Sequence, residues 1–348
     1  MRLHARLGYV LASAIAVTAG WTTSGAAQAP FPDAIAAETR RLTFAVSAPI
    51  TDGSTEAQTR AALQPWLQPA NASTVVKLRA FAVGRDDLAI VSRTIADAFA
   101  RAKRPLPVVS LVGIASFPQA GQRVLVEVTA VAAAVVNPNG VAFLAGLATA
   151  AGDQTIRGLA SVASAGGVAP GDVLRVSCFY EDPEQIASAR TAITSTFPSA
   201  VSSFVRSYDA APKPLVECEA IARLQTAVDG VRIFNLPTEK ASPFYSRGAL
   251  VSTPKVGLTG GLTALGEDEA ALRTPMQRAL DALAPLGGKM QDVVMGDNYW
   301  LTAPARDGIR AVRPSFFGAT VPAATGVFFT SLLDERATIS VELVVAIR

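Results

Sequence analysis

Histidine is almost missing from this sequence: its 348 residues include one, His4. It falls in an amino-terminal stretch with the layout of a cleaved leader, so the working chain is expected to have none. Ser-His-Asp and Cys-His catalysis are then excluded, as is every metal site that needs imidazole. Charge is sparse as well, at 17% of residues, and aromatic residues make up 7%. The two cysteines, Cys178 and Cys218, are compatible with a bridge or with buried free thiols on two strands. What is abundant is apolar: 50% of residues are hydrophobic, which excludes a disordered or collagen-like chain.

Residues 1–29 run from a basic start (Arg2, Arg6) through an apolar stretch at 7–20 to small residues, the layout of a secretory signal peptide. They predict a periplasmic or secreted protein. The apolar stretch is shorter than the roughly 20 residues that a membrane span needs. Cleavage after Ala26, Ala27 or Ala29 is therefore expected, with an uncleaved anchor as the alternative, and no membrane association is expected after cleavage. Removing the leader takes away two arginines and no acid, so the formal charge falls from +3 to +1. No Lys/Arg cluster with interleaved aromatics remains, and nucleic-acid binding loses its electrostatic basis.

The stretch 124–151 is apolar enough to be mistaken for a membrane segment. Glu127 and the turn signal Asn137-Pro138-Asn139-Gly140 divide it into a strand, a turn and a strand. Similar closing strands occur three times: VLVEVTAVA from Val124, LVECEAIA from Leu215 and ISVELVVAI from Ile339, with Glu127, Glu217 and Glu342 set between apolar neighbours. Each follows, at a similar distance, another strand-like run: TVVKLRAFAV from Thr74, DVLRVSCFY from Asp172 and DVVMGDNYWL from Asp292. Before those come helix-like segments from Thr55, Asp153 and Asp268, each opening on a cap-type residue, with Pro65 and Pro275 predicted to bend or shorten two of them. Strand-like runs from Leu42, Val141 and Val256 lead the three units, and further helical stretches start at Asp86 and Asp182. The order β, α, β, α, β thus repeats threefold, giving a leader (1–29) and units at 30–136, 137–226 and 227–348.

In detail these units resemble the Rid family, also called YjgF or L-PSP. The first carries Ala57-Gln58-Thr59, Val75-Val76-Lys77 and Val126-Glu127-Val128. The second carries Gln154-Thr155, Asp172-Val173, Phe197-Pro198 and Val216-Glu217-Cys218-Glu219-Ala220-Ile221-Ala222, and the third Pro243-Phe244-Tyr245-Ser246 and Thr259-Gly260. The resemblance implies an α+β fold of three chorismate-mutase-like modules, joined as a covalent pseudo-trimer that works as a monomer. Its ligand sites would be clefts between repeats. It also implies metal-free and cofactor-free chemistry on a small molecule, either imine or enamine deamination or amide-type hydrolysis.

Family deaminases hold the substrate carboxylate with an Arg in Pro-Ala-Arg-Ser, a planar bidentate contact that an apolar residue cannot make. Counting along each unit puts Val109, Val201 and Ala324 there, followed by Ser110, Ser202 and Thr325. The clamp is absent from all three, which makes deamination of imino acids doubtful and favours neutral or apolar ligands. Glu127, Glu217 and Glu342 match the family's cleft glutamate. A partly desolvated carboxylate there has a raised pKa and acts as a general base or holds an NH-bearing ligand, whereas the plainer reading is a glutamate bonded across the seam. Tyr245, Thr259 and Ser47 match further cleft positions. Two functions follow as expectations: a cofactor-independent hydrolase or deaminase, and a small-molecule-binding protein without turnover.

Overall fold

A computed structural model describes residues 31–208, 215–318 and 320–348; the leader-like segment lies outside them. Strand β1 (Ala34–Glu38) comes first. The first unit follows as β2 (Leu42–Val46), α1 (Thr55–Leu67), β3 (Thr74–Val83), α2 (Arg85–Arg101), β4 (Val108–Ile114) and β5 (Val124–Val131). The second comprises β6 (Val141–Ala145), α3 (Gly152–Ala165), β7 (Val173–Tyr180), α4 (Gln185–Thr196), β8 (Val201–Arg206) and β9 (Val216–Arg223). A hairpin, β10 (Val231–Phe234) and β11 (Gly248–Val251), leads to the third. That unit has β12 (Lys255–Thr259), β13 (Leu262–Ala264), α5 (Glu269–Leu283), β14 (Val293–Trp300), α6 (Ala303–Val312), α7 (Pro314–Phe317), β15 (Ala323–Phe328), β16 (Ser331–Leu332) and β17 (Ile339–Ile347).

One pairing rule holds in all three. The closing strand lies antiparallel between the leading and central strands, and the central strand pairs parallel with the strand that follows the second helix. That parallel pair requires a crossover, which α2, α4 and α6 provide. The sheets also exchange edges. β1 extends the third unit's sheet beside β12, the β10–β11 hairpin extends the second's beside β6, and β16 pairs with β4 of the first. Strand ends close a ring between units through Ala115 N to Arg206 O (3.2 Å), Tyr208 N to Phe328 O (2.9 Å) and Thr330 N to Gly113 O (3.1 Å).

Strand alternation sends one face of each sheet to its own helices and the other to the middle of the molecule. In β3, Leu78, Ala80 and Ala82 pack with Leu88, Val91 and Ile95 of α2, whereas Phe81 meets Phe179 and Tyr299 from the other two sheets. Separate helix-side cores form under α3 and α4 and under α5 and α6. A further core, including Leu42, Val108, Phe143, Ile221, Val256 and Val344, draws on all three sheets.

The turn at Asn137–Gly140 forms as expected, with Gly140 N donating to Asn137 O (3.0 Å) and Gly140 in the left-handed region (φ 103°). Pro65 and Pro275 do not cut their helices short: α1 and α5 run past them. A proline removes one donor at a cost of roughly 3 kcal/mol. Burial of the apolar side of each helix, Pro275 included, offsets that loss. Cys178 and Cys218 stand directly opposite on β7 and β9, 4.2 Å apart at Cα, and are joined as a disulfide.

Candidate functional site

Hydrogen-bond register gives an alignment of the units that does not depend on residue types. Each central strand carries one bulge near its start, after which Arg79, Ser177 and Asp297 lie opposite Glu127, Glu219 and Glu342. The equivalent glutamate of the second unit is therefore Glu219. Glu217, matched to the other two from the sequence, lies two residues earlier, opposite Phe179. The second unit shifts at the clamp position too. The register aligns Val109 and Ser110 with Ser202 and Ser203 and with Ala324 and Thr325, so Val201 stands one residue early. None of the three positions holds an arginine.

The three register-equivalent glutamates meet at the centre of the molecule. Arg79 Nε donates to Glu127 Oε2 (2.7 Å), and its other nitrogens reach Glu219 Oε1 (2.6 Å), the Ser177 hydroxyl (3.1 Å), the Tyr299 hydroxyl (2.9 Å) and Asp297 Oδ2 (3.3 Å). Glu127 also accepts from Ser177 (2.6 Å) and Ser203 and lies 3.5 Å from Arg175, while Lys77 pairs with Glu342. Burial by itself would raise the Glu127 pKa, but Arg175, Arg79 and the two hydroxyls hold it at about 2. Burial and the nearby Glu219 push Asp297 in the opposite direction, well above the usual carboxylate range. Lys77, Arg79 and Arg175 thus face Glu127, Glu219, Asp297 and Glu342 across the cluster. A cavity of about 40 Å³ borders this cluster and is lined also by Phe44, Phe143 and Leu258. A carboxylate so strongly ionised is a poor proton acceptor near neutral pH, and the cluster's evident work is to join three sheets.

Glu217 has different surroundings. It lines a cavity of about 250 Å³ between the second and third units, together with Tyr245, Ala324 and Thr325. Burial, assisted by repulsion from Glu219, raises its pKa to about 8 despite the Gly326 N–H, Arg247 and Arg310. It is mainly a neutral acid at pH 7. Gly326 is needed for this geometry, because a Cβ there would lie 2.2 Å from the Trp300 ring.

The other walls carry polar atoms without partners. Among the described residues, Asn298 Oδ1, Trp300 Nε1, Thr325 Oγ1 and a terminal nitrogen of Arg313 are buried and make no hydrogen bond, and all four residues line this cavity. Such groups each cost on the order of 1–3 kcal/mol when left unsatisfied. Arg247 is engaged by Glu239 (2.7 Å) and by the Gly146 carbonyl (2.8 Å). Arg310 lies over the rings of Trp300 (5.3 Å) and Phe244 (5.5 Å), and Arg313 over Phe317 (5.2 Å). Burial and the charge of Arg310 lower the Arg313 pKa to about 10, which leaves it a cation at neutral pH.

Four of the residues singled out from the sequence thus share one cavity: Glu217, Tyr245, Ala324 and Thr325. The others lie elsewhere. Ser47 and Thr259 accept backbone N–H bonds from Val126 (3.0 Å) and Leu343 (2.8 Å), which closes local strand geometry. Val109 receives the Gly261 N–H (3.1 Å) where the first and third units touch, and Ser110 beside it is fully buried near Glu342. Val201 is 38% exposed, and Ser202 follows it on β8. The residues unforeseen in the cavity include Arg247, Asn298, Trp300, Arg310 and Arg313. The one local signal for the last two is a pair of cations three apart at the end of an amphipathic helix, a pattern shared with many solvent-facing helices.

No protein-family model and no curated protein matches this chain. Solved structures similar to it are of the YjgF/Rid/L-PSP family, each matching about a third of its length. A conserved Rid-family protein of unknown function from Yersinia pestis is 20% identical over 34% of this chain and 100% of that chain, with a TM-score of 0.32. A YjgF/YER057c/UK114 family member from Mycobacterium tuberculosis is 23% identical over 34% and 100%, with a TM-score of 0.25. A putative endoribonuclease L-PSP from Entamoeba histolytica is 16% identical over 34% and 99%, with a TM-score of 0.25.

Proposed function

We propose that this chain binds a small anionic organic molecule in the cavity between its second and third units, and that Glu217 meets the ligand as a protonated acid. The observation that carries this reading is a single concavity lined by Arg310 and Arg313, which have no carboxylate partner among the described residues, and by Asn298, Trp300 and Thr325, each with a buried polar atom that makes no hydrogen bond. Its volume of about 250 Å³ is near the lower end of small-molecule sites. The strand arginine of the family is absent, but guanidinium groups from α6 stand in the same cavity, so the preference is for anions and not for the neutral ligands suggested by Ala324.

Beside a bound imine or amide nitrogen, a neutral Glu217 donates a hydrogen bond or a proton. That is the step a cofactor-independent deaminase or hydrolase of Rid type requires. Three tandem units acting as a covalent pseudo-trimer let this one cleft diverge from its counterparts, since a substitution in one unit is not copied into the others. In this reading the chain acts as a monomer. Export to the periplasm or beyond is supported by the leader-like composition of residues 1–29 and by the disulfide, which belongs to an oxidising compartment.

The test is the pH dependence of ligand-induced stabilisation, measured as a shift in Tm across a panel of small organic acids. Stabilisation is expected to weaken as pH rises through about 8, where Glu217 ionises and cancels one positive charge. Glu217→Gln is expected to flatten that dependence. A panel in which no acid raises Tm at any pH sinks the proposal. Recovery of the stabilising ligand unchanged after prolonged incubation selects binding without turnover.

A further inference from the structure

We infer that the ligand of this cavity is a short dicarboxylate bearing one hydrogen-bond donor, such as a hydroxyl, with Arg310 and Arg313 sharing its two charges. This rests on the anion-binding reading above and narrows it. Arg310 and Arg313 lie three residues apart at the end of α6, a spacing that puts both on one face of the helix. Both line the cavity, and among the described residues neither forms an ion pair with a carboxylate. The remaining cation, Arg247, is neutralised by Glu239, 2.7 Å away.

With Glu217 protonated, the wall carries two uncompensated positive charges. One of them, Arg313, is 93% buried. A monoanion leaves one guanidinium without a counter-charge, whereas a dianion neutralises both. Stacking over Trp300 and Phe244 fixes the plane of Arg310 and leaves its N–H edges for a carboxylate. The Trp300 indole N–H and the unpartnered Arg313 nitrogen, both on residues that line the cavity, are donors without acceptors.

Asn298 supplies the remaining specification. Its amide nitrogen points at the carbonyls of Gly296 (3.4 Å) and Thr325 (3.3 Å), which leaves Oδ1 as a buried acceptor without a donor. A ligand made only of acceptors offers it nothing. A hydroxyl between two carboxylates satisfies it; inorganic phosphate, mainly the monoanion H2PO4− at the assay pH, brings O–H donors but not the second charge.

The experiment compares malate, succinate, lactate and inorganic phosphate by titration calorimetry at pH 6.5 and low salt, using the mature chain. Malate is expected to bind at least tenfold more tightly than lactate, since a charge-assisted contact to a guanidinium contributes about 1.5–3 kcal/mol. Succinate is expected between them, and phosphate below malate. Arg310→Met, at a half-exposed position, and Arg313→Met are each expected to reduce malate affinity to the level of lactate. Asn298→Leu is expected to bring malate down to succinate. A variant counts only where its Tm without ligand and its circular dichroism match the parent, and the half-exposed position of Arg310 keeps one such variant available. Equal affinity for lactate and malate, or tighter binding of phosphate, overturns the dicarboxylate assignment while leaving an anion site. Binding of none of the four overturns the assignment, and the broader panel of acids then decides whether an anion site remains.

Discussion

Arg79 and Glu217 illustrate how the surroundings of a side chain, more than its type, decide its role. Arg79 sits at 3% exposure among Glu127, Glu219, Asp297, Ser177 and Tyr299, and these neighbours hold its pKa above the ordinary value even though burial opposes the charge. Removing it strands two buried carboxylates. Breaking one side of a buried pair costs about 3–5 kcal/mol. Arg79→Met is therefore expected to lower unfolding free energy by at least that amount in a urea titration, while leaving the 250 Å³ cavity intact. An unchanged midpoint would show that the cluster does not hold the sheets together. Glu217, two residues along the strand from Glu219, lines that cavity, where burial raises its pKa to about 8 against the Gly326 N–H of the third unit.

Between neighbouring strands, register carries information that residue matching does not. The bulges at Val75/Lys77, Val173/Arg175 and Val293/Met295 recur in all three units, and each reverses which residues face the centre. Counting along the sequence from flanking loops slipped by one residue at Val201 because turns tolerate length changes that ladders do not. The disulfide also belongs to this scale: Cys178 and Cys218 tie the central strand of the second unit to its closing strand across a separation of 40 residues. Loop-closure entropy for that length gives on the order of 4 kcal/mol. The double variant Cys178→Ser/Cys218→Ser is expected to lose roughly that much in denaturant unfolding, and a loss confined to a few tenths would mean that the bridge adds little to the paired strands.

For the whole molecule, the central charges tie stability to acidity. Glu127 has a folded pKa of about 2 against an ordinary 4.5, so the unfolded chain binds protons first as pH falls. The contribution of Glu127 is present above about 4.5 and is lost as pH drops towards 2. Glu342, lowered by Lys77 and Arg79 against the effect of burial, acts in the same direction. Urea midpoints measured from pH 6 down to 2 are expected to fall steeply below about 4.5 and less steeply in Glu127→Gln; equal slopes would remove Glu127 from the acid response. Apolar periodicity, turn residues and the threefold recurrence of closing strands were enough to read the order of elements from the sequence, because those patterns express local geometry and burial. The family resemblance named Glu217, Tyr245, Ala324 and Thr325, which line one cavity. Which glutamates converge on Arg79 and which cavity carries Arg310 and Arg313 in its wall depended on strand register and on the meeting of three sheets. These are long-range relations between segments far apart in the chain, and no local pattern of residues encodes them.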